Sequence, residues 1–161
     1  MNVRKMAAGG KIPLTQTLSI PVPAGYGAAE AAVALRGTIT KDKTVYLLSG
    51  EADAALELEC ARCLRPVPVK VTFALEERFC ETPGEDEFPA ADGVIDLEAA
   101  VADNLLPRIP AKVLCREDCK GLCHTCGADL NESGCGCQTN VGDERLAVLK
   151  QWFSEDTTES I

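Results

Sequence analysis

With 161 residues, 46% of them hydrophobic and 25% charged, the chain has the composition of a compact globular protein and not of a disordered polymer. A formal charge of -9 at pH 7 opposes a nucleic-acid backbone and favours basic partners. No stretch nears about eighteen uninterrupted apolar residues, and Met1 to Lys11 hold no apolar run of signal-peptide length, so the expectation is a cytoplasmic protein that neither crosses a membrane nor is exported.

Aromatic residues make up 4%, so the core must come from Ala, Val, Leu and Ile, which bury less area each. Cross-links would compensate, and nine cysteines are present. From about Ala29 to Phe79 the pattern is β. Val33, Leu35, Thr38, Ile39 and Thr40 form a strand interrupted near Gly37 and turned at Lys41 to Lys43. Thr44 to Leu48 and Ala52 to Glu59 continue it, with Leu56 and Leu58 alternating against Glu57 and Glu59. Val67, Val69, Val71, Phe73 and Leu75 make the clearest period-two run, and the short connections favour an antiparallel meander. Glu81 to Asp92 is acidic, holds Pro83, Gly84 and Pro89, and reads as a solvated loop, with a docking strip for a cationic partner as the alternative. Asp96 can cap a helix that places Leu97, Val101 and Leu105 on one side and ends before Pro107 and Pro110. Cysteine and glycine then dominate from Cys115 to Cys137. A last amphipathic helix is expected near Asp143, with Leu146, Leu149, Trp152 and Phe153 on one face, before an acidic frayed tail from Ser154.

Eight cysteines fall into close groups: Cys60 with Cys63, Cys115 with Cys119, Cys123 with Cys126, and Cys135 with Cys137. Two sulfurs presented from one tight turn suit one metal ion, and two such elements supply the tetrahedral thiolate set of a structural zinc site. Gly127 after Cys126 permits the left-handed backbone that such a knuckle needs. Cys123, Cys126, Cys135 and Cys137 thus form one self-contained set, leaving Cys115 and Cys119 for Cys60 and Cys63. The rival partition faces Cys60 and Cys63 with Cys123 and Cys126. Closure of the shorter loop favours the first. Reducing conditions and the cramped Cys135–Cys137 spacing weigh against disulfides. A redox role for Cys60 and Cys63 would require a helix N-terminus, and Arg65-Pro66 and a β run follow instead. Zinc, as one or two ions, is the expected cofactor, with an iron–sulfur cluster as the alternative. Cys80, after Phe79, reads as a small buried apolar residue.

Enzymatic machinery is not in view. His124 is the single histidine, no nucleophile sits beside a base, and zinc held by four cysteines has no open coordination position. A non-enzymatic protein is the expectation.

Leu58-Glu59-Cys60-Ala61-Arg62-Cys63-Leu64 with the valine-rich run behind it resembles the signature of the YceD family, also called DUF177. So do Ile95-Asp96-Leu97 leading to Leu105-Leu106-Pro107, the run from Leu114 to Cys123, Cys126-Gly127-Ala128-Asp129-Leu130-Asn131, Cys135-Gly136-Cys137, and Asp143-Glu144-Arg145-Leu146. The resemblance covers about Ile12 to Phe153. It implies a factor in large ribosomal subunit biogenesis, acting on accumulation of the large-subunit ribosomal RNA, with no established chemistry. The family's gene commonly neighbours that of a small basic zinc-ribbon protein of the same subunit.

Together these observations predict an α+β protein. Residues 1–110 form a β-rich core carrying the first cysteine pair, 111–153 a cysteine-rich metal-binding module with the final helix, and 154–161 the acidic tail. A basic ribosomal protein, large-subunit rRNA, or both are the expected partners, and acidity favours the protein. Arg62, Arg65, Arg108, Lys112, Arg116 and Lys120 are the candidate phosphate contacts. Solvated surface, or compensation of thiolate charge, is the competing reading. A nucleic-acid-binding zinc ribbon is the alternative function, and a thiol redox protein a more distant one.

Overall fold

The computed structural model describes residues 1–23 and 29–137. Two compact units divide the chain, 1–119 and 120–161. The helix expected from Asp143 and the acidic tail lie outside the described residues.

In the first unit, β1 (Lys11–Pro21), β2 (Glu30–Asp42), β3 (Val45–Glu59) and β4 (Pro66–Cys80) pair antiparallel in chain order, as a meander. β5 (Phe88–Pro89) adds to β4 in parallel. The sheet is therefore mixed, a correction to the purely antiparallel expectation. The parallel pair forms because the acidic segment loops out and returns in the same direction, placing the Phe88 ring 5.5 Å from that of Phe79.

β1 was not expected. Ile12, Leu14, Leu18 and Ile20 do alternate, but Pro13 and Pro21 read as breakers and Gln16 interrupts the run. Register resolves the conflict. Val22 N–H donates to the Ala29 carbonyl at 3.0 Å, and bonded pairs recur every second residue, so even-numbered residues of β1 face β2. Pro13 and Pro21 turn their missing donors to the open edge, where a sheet tolerates them. By the same count from Cys60 N–H to the Arg65 carbonyl, Pro66 and Pro68 face away from β3.

β2 also runs unbroken through Gly37, contrary to the expected interruption. Gly37 stands opposite Gly50, and a Cβ on Gly37 would lie 2.6 Å from the Ser49 carbonyl oxygen. The glycines are there for close approach of two backbones, not to end a strand.

The period-two pattern buries one sheet face. Val33, Leu35, Ile39, Leu48, Leu56, Leu58, Phe73, Leu75 and Phe79 fill it, and the alternating residues meet solvent. α1 (Leu97–Leu105) covers this face, packing against β1 and β4 through Leu97, Val101 and Leu105. Asp96 caps it as expected, accepting from the amides of Glu98 at 3.0 Å and Ala99 at 3.1 Å. α1 passes into a single 3-10 turn at Leu106–Arg108 that carries Pro107. No helix among the described residues is long and apolar enough to cross a membrane.

Candidate metal centres

The first site is built where β3 ends at Glu59 and β4 begins at Pro66. Two backbone bonds tie the connection into a knuckle: Leu64 N–H to the Cys60 carbonyl at 2.9 Å and Cys60 N–H to the Arg65 carbonyl at 2.8 Å. The fold needs a left-handed residue after the second cysteine, and Leu64 takes that conformation with φ 60°. After α1 the chain returns beside the knuckle. Val113 bridges Cys60 in parallel and accepts from the Ala61 amide at 2.9 Å. That placement delivers Cys115 and Cys119. Arg62 Nη1 fastens the far side, donating to the carbonyls of Cys119 at 2.7 Å and Glu117 at 3.3 Å.

The second unit repeats the device. Gly127 N–H donates to the Cys123 carbonyl, and Cys123 N–H to the Ala128 carbonyl, both at 2.8 Å, with Gly127 at φ 73°. Leu122 bridges Asp129 antiparallel, and Leu130 N–H reaches the Gly121 carbonyl at 2.9 Å. Asn131 accepts from Lys120 N–H at 2.8 Å and is itself held by Asp129.

The sulfurs gather in two sets of four, Cys60, Cys63, Cys115 and Cys119 in the first unit, and Cys123, Cys126, Cys135 and Cys137 in the second. Within each set all ligand atoms lie within 4.8 Å of one another. Sγ of Cys60 and Cys119 are 3.9 Å apart, and Sγ of Cys63 and Cys115 are 3.6 Å apart. Four thiolates around one tetrahedral ion at zinc distances stand about 3.8 Å apart, whereas a disulfide needs about 2.05 Å. These spacings fit a mononuclear four-thiolate site, and no disulfide joins any of the nine cysteines. A polynuclear iron–sulfur cluster would spread its thiolates wider.

Backbone amides prepare the charge. The Cys115 amide directed at Cys60 lowers that thiol to about 6 despite its burial, and the amides of Cys126 and Thr125 lower Cys123 to about 6. Cys115 is exposed as a residue, but loss of water around its inward sulfur first, and then the sulfurs of Cys63, Cys119 and Cys60, push it up to about 12. The Cys126 sulfur does the same to Cys137, also up to about 12. In each set one sulfur ionises readily and another resists while its neighbours carry charge. A divalent cation at the centre would remove that conflict.

The basic candidates divide. Arg62 holds the knuckle, and Arg108 donates to the Asn104 carbonyl and lies over the Phe73 ring at 5.3 Å. Arg116 ion-pairs with Asp118 at 3.4 Å. Arg65, Lys112 and Lys120 are exposed. Two features escaped sequence reasoning. Leu64 sits in the glycine place of its knuckle, a fact legible only by aligning it with Gly127. Cys80, buried as expected, donates its thiol to Glu87 Oε2 at 3.2 Å. Nothing in the spacing of Cys80 and Glu87 announced that contact.

The profile of the family described as "Large ribosomal RNA subunit accumulation protein YceD" matches residues 48–152. A maize protein named "Large ribosomal RNA subunit accumulation protein YCED homolog 1, chloroplastic" is 28% identical over 152 residues, 71% of this chain and 51% of that one. An uncharacterized protein of Mycobacterium bovis is 41% identical over 92 residues, and one of Mycobacterium leprae 36%, each alignment covering 52% of this chain. The chain spans about half the length of the curated relatives it matches, 44% of the Mycobacterium bovis protein and 51% of the maize one. No solved structure matches. The profile match runs through the first knuckle, the helix and both cysteine sets, and the chain belongs to the YceD family.

Proposed function

We propose that the chain is a non-enzymatic factor in large ribosomal subunit biogenesis that holds two structural zinc ions and engages a basic ribosomal protein, large-subunit rRNA, or both in the cytoplasm. The observation that carries this reading is the family match, whose printed description concerns accumulation of the large-subunit RNA. Four thiolates close a zinc coordination sphere, which supports a structural and not a catalytic ion. Support for a basic protein partner comes from a concavity of about 470 Å³ lined by Glu76, Glu85, Asp86, Glu87 and Asp103.

The reading is tested by depleting the protein from cells and measuring the ratio of large- to small-subunit rRNA. A fall in that ratio, restored by the wild-type chain, is expected, and an unchanged ratio sinks it. Capture of a basic protein after ribonuclease treatment would identify an escort. Capture only with RNA intact would favour the rRNA partner.

A further inference from the structure

Charge is distributed unevenly along the first unit. Residues 60–70 and 104–116 contain Arg62, Arg65, Lys70, Arg108, Lys112 and Arg116 and no acidic residue, whereas 76–103 holds ten acidic residues and one base, Arg78. The two basic segments meet at the first knuckle, where Val113 bridges Cys60. Screening at physiological salt confines the field of exposed charges to about 8 Å, so a ligand at the knuckle meets these cations together with the bordering Glu59, Glu117 and Asp118, the last paired with Arg116, and not the total of -9.

At the tip of the same knuckle stands Leu64, 58% exposed and at φ 60°, a conformation that L side chains rarely adopt. Gly127 holds the equivalent position in the second unit, with the same backbone bonds and open space around it. Folding would favour glycine at both places. Lys43 and Asp92 share this backbone region, but both are polar; Leu64 is the one large apolar side chain among the described residues held in it while exposed, and strain of this kind clusters at functional sites. Leu64 borders a groove of about 240 Å³ walled by Leu58, Pro110 and Val113, with Lys112 and one carboxylate, Glu59, on its lining.

We infer that the first knuckle is a binding site for single-stranded RNA, with Leu64 and the groove packing against an unstacked nucleotide and Arg62, Arg65 and Lys112 facing its phosphates. The inference rests on the ribosomal reading above and adds a surface to it. An apolar tip flanked by Arg62, Arg65 and Lys112 suits a ligand with a flat apolar base and a charged backbone. The Arg62 guanidinium, held by two carbonyls and still exposed, is already oriented.

The test uses the full, zinc-loaded chain and a short fluorescent oligouridine, read by anisotropy over a range of salt. Leu64→Gly should weaken binding roughly tenfold, on the order of losing one partly buried aliphatic side chain, while metal content and thermal midpoint hold or rise. Lys112→Glu should make the slope of log affinity against log salt shallower by about 0.7 or more, one phosphate contact. Leu64→Gly binding as tightly as wild type overturns the proposal. So does Lys112→Glu shedding metal with an unchanged salt slope, because the cation would then serve only the thiolates. A Leu64→Gly protein that loses a captured basic protein but keeps its RNA also overturns it. Should wild type bind no oligouridine while depletion still lowers large-subunit rRNA, this surface falls and the biogenesis reading stands.

Discussion

Leu64 and Gly127 show how much one position can say when its backbone duty is known. Both satisfy the left-handed turn of a cysteine knuckle, and only glycine does so without strain. The cysteines that could hold metal were legible as pairs because two sulfurs leaving one tight turn can share an ion. Replacing Cys60 with Ser should lower the metal content from two ions per chain to one, as should Cys123→Ser. Elemental analysis of the purified variants checks this, and equal metal in variant and wild type would refute the assignment. Cys80 and Glu87 carry a different prediction. The Cys80 thiol, the Gly84 amide at 3.1 Å and Arg78 at 3.1 Å hold the Glu87 carboxyl below its usual range. Its folded value is depressed, so its contribution is present above about pH 4.5 and is lost as pH falls through the folded value. Glu87 in turn raises Cys80, whose contribution is full below the ordinary thiol value of 9.0 and is lost as pH climbs through the raised one. The pair therefore stabilises most between those limits. Glu87→Gln should flatten denaturation midpoints measured across that range and quicken alkylation of Cys80.

Elements were readable wherever period and punctuation agreed. Asp96 before Leu97, Val101 and Leu105 announced α1, and Asp96→Ala should cost about 1 kcal/mol in urea denaturation, with a smaller loss for Asp96→Asn. β3 and β4 were legible from alternation, since one face of each is fully or partly buried while the other meets solvent. β1 and the unbroken β2 were not, for a shared reason. Pro13, Pro21 and Gly37 are breakers by composition, yet each is harmless where the sheet places it, the prolines on an open edge and the glycine against Gly50. Gly50→Ala should be destabilising by about 1–3 kcal/mol through overcrowding, while Gly84→Ala, with only the far end of Glu87 nearby, should be close to neutral. Equal effects at the two sites would show that the facing glycines are not under contact.

At the scale of the molecule, the two cysteine sets belong to units of different construction. The first unit has a sheet and helix core that does not consist of cysteine, and the described part of the second has little beyond a knuckle and a short bridge. Structural zinc contributes about 10–16 kcal/mol in small metal-dependent folds. A chelator should therefore abolish hydrogen-exchange protection at Cys123, Gly127 and Leu130 while leaving the β signal in far-ultraviolet circular dichroism largely intact. Loss of that signal at the same chelator concentration would show that the sheet also depends on metal. By itself the sequence determined the cysteine pairs, the capped helix, the alternating strands and the family, because each is written in residues near one another in the chain. Tertiary structure alone decided which edge of a strand a proline faces, which glycines touch and that β5 runs parallel to β4, and it settled between two partitions of the cysteines in favour of the one loop closure preferred, with Cys115 and Cys119 beside Cys60 and Cys63. Those are matters of register and return path, and no local preference carries information about a partner dozens of residues away.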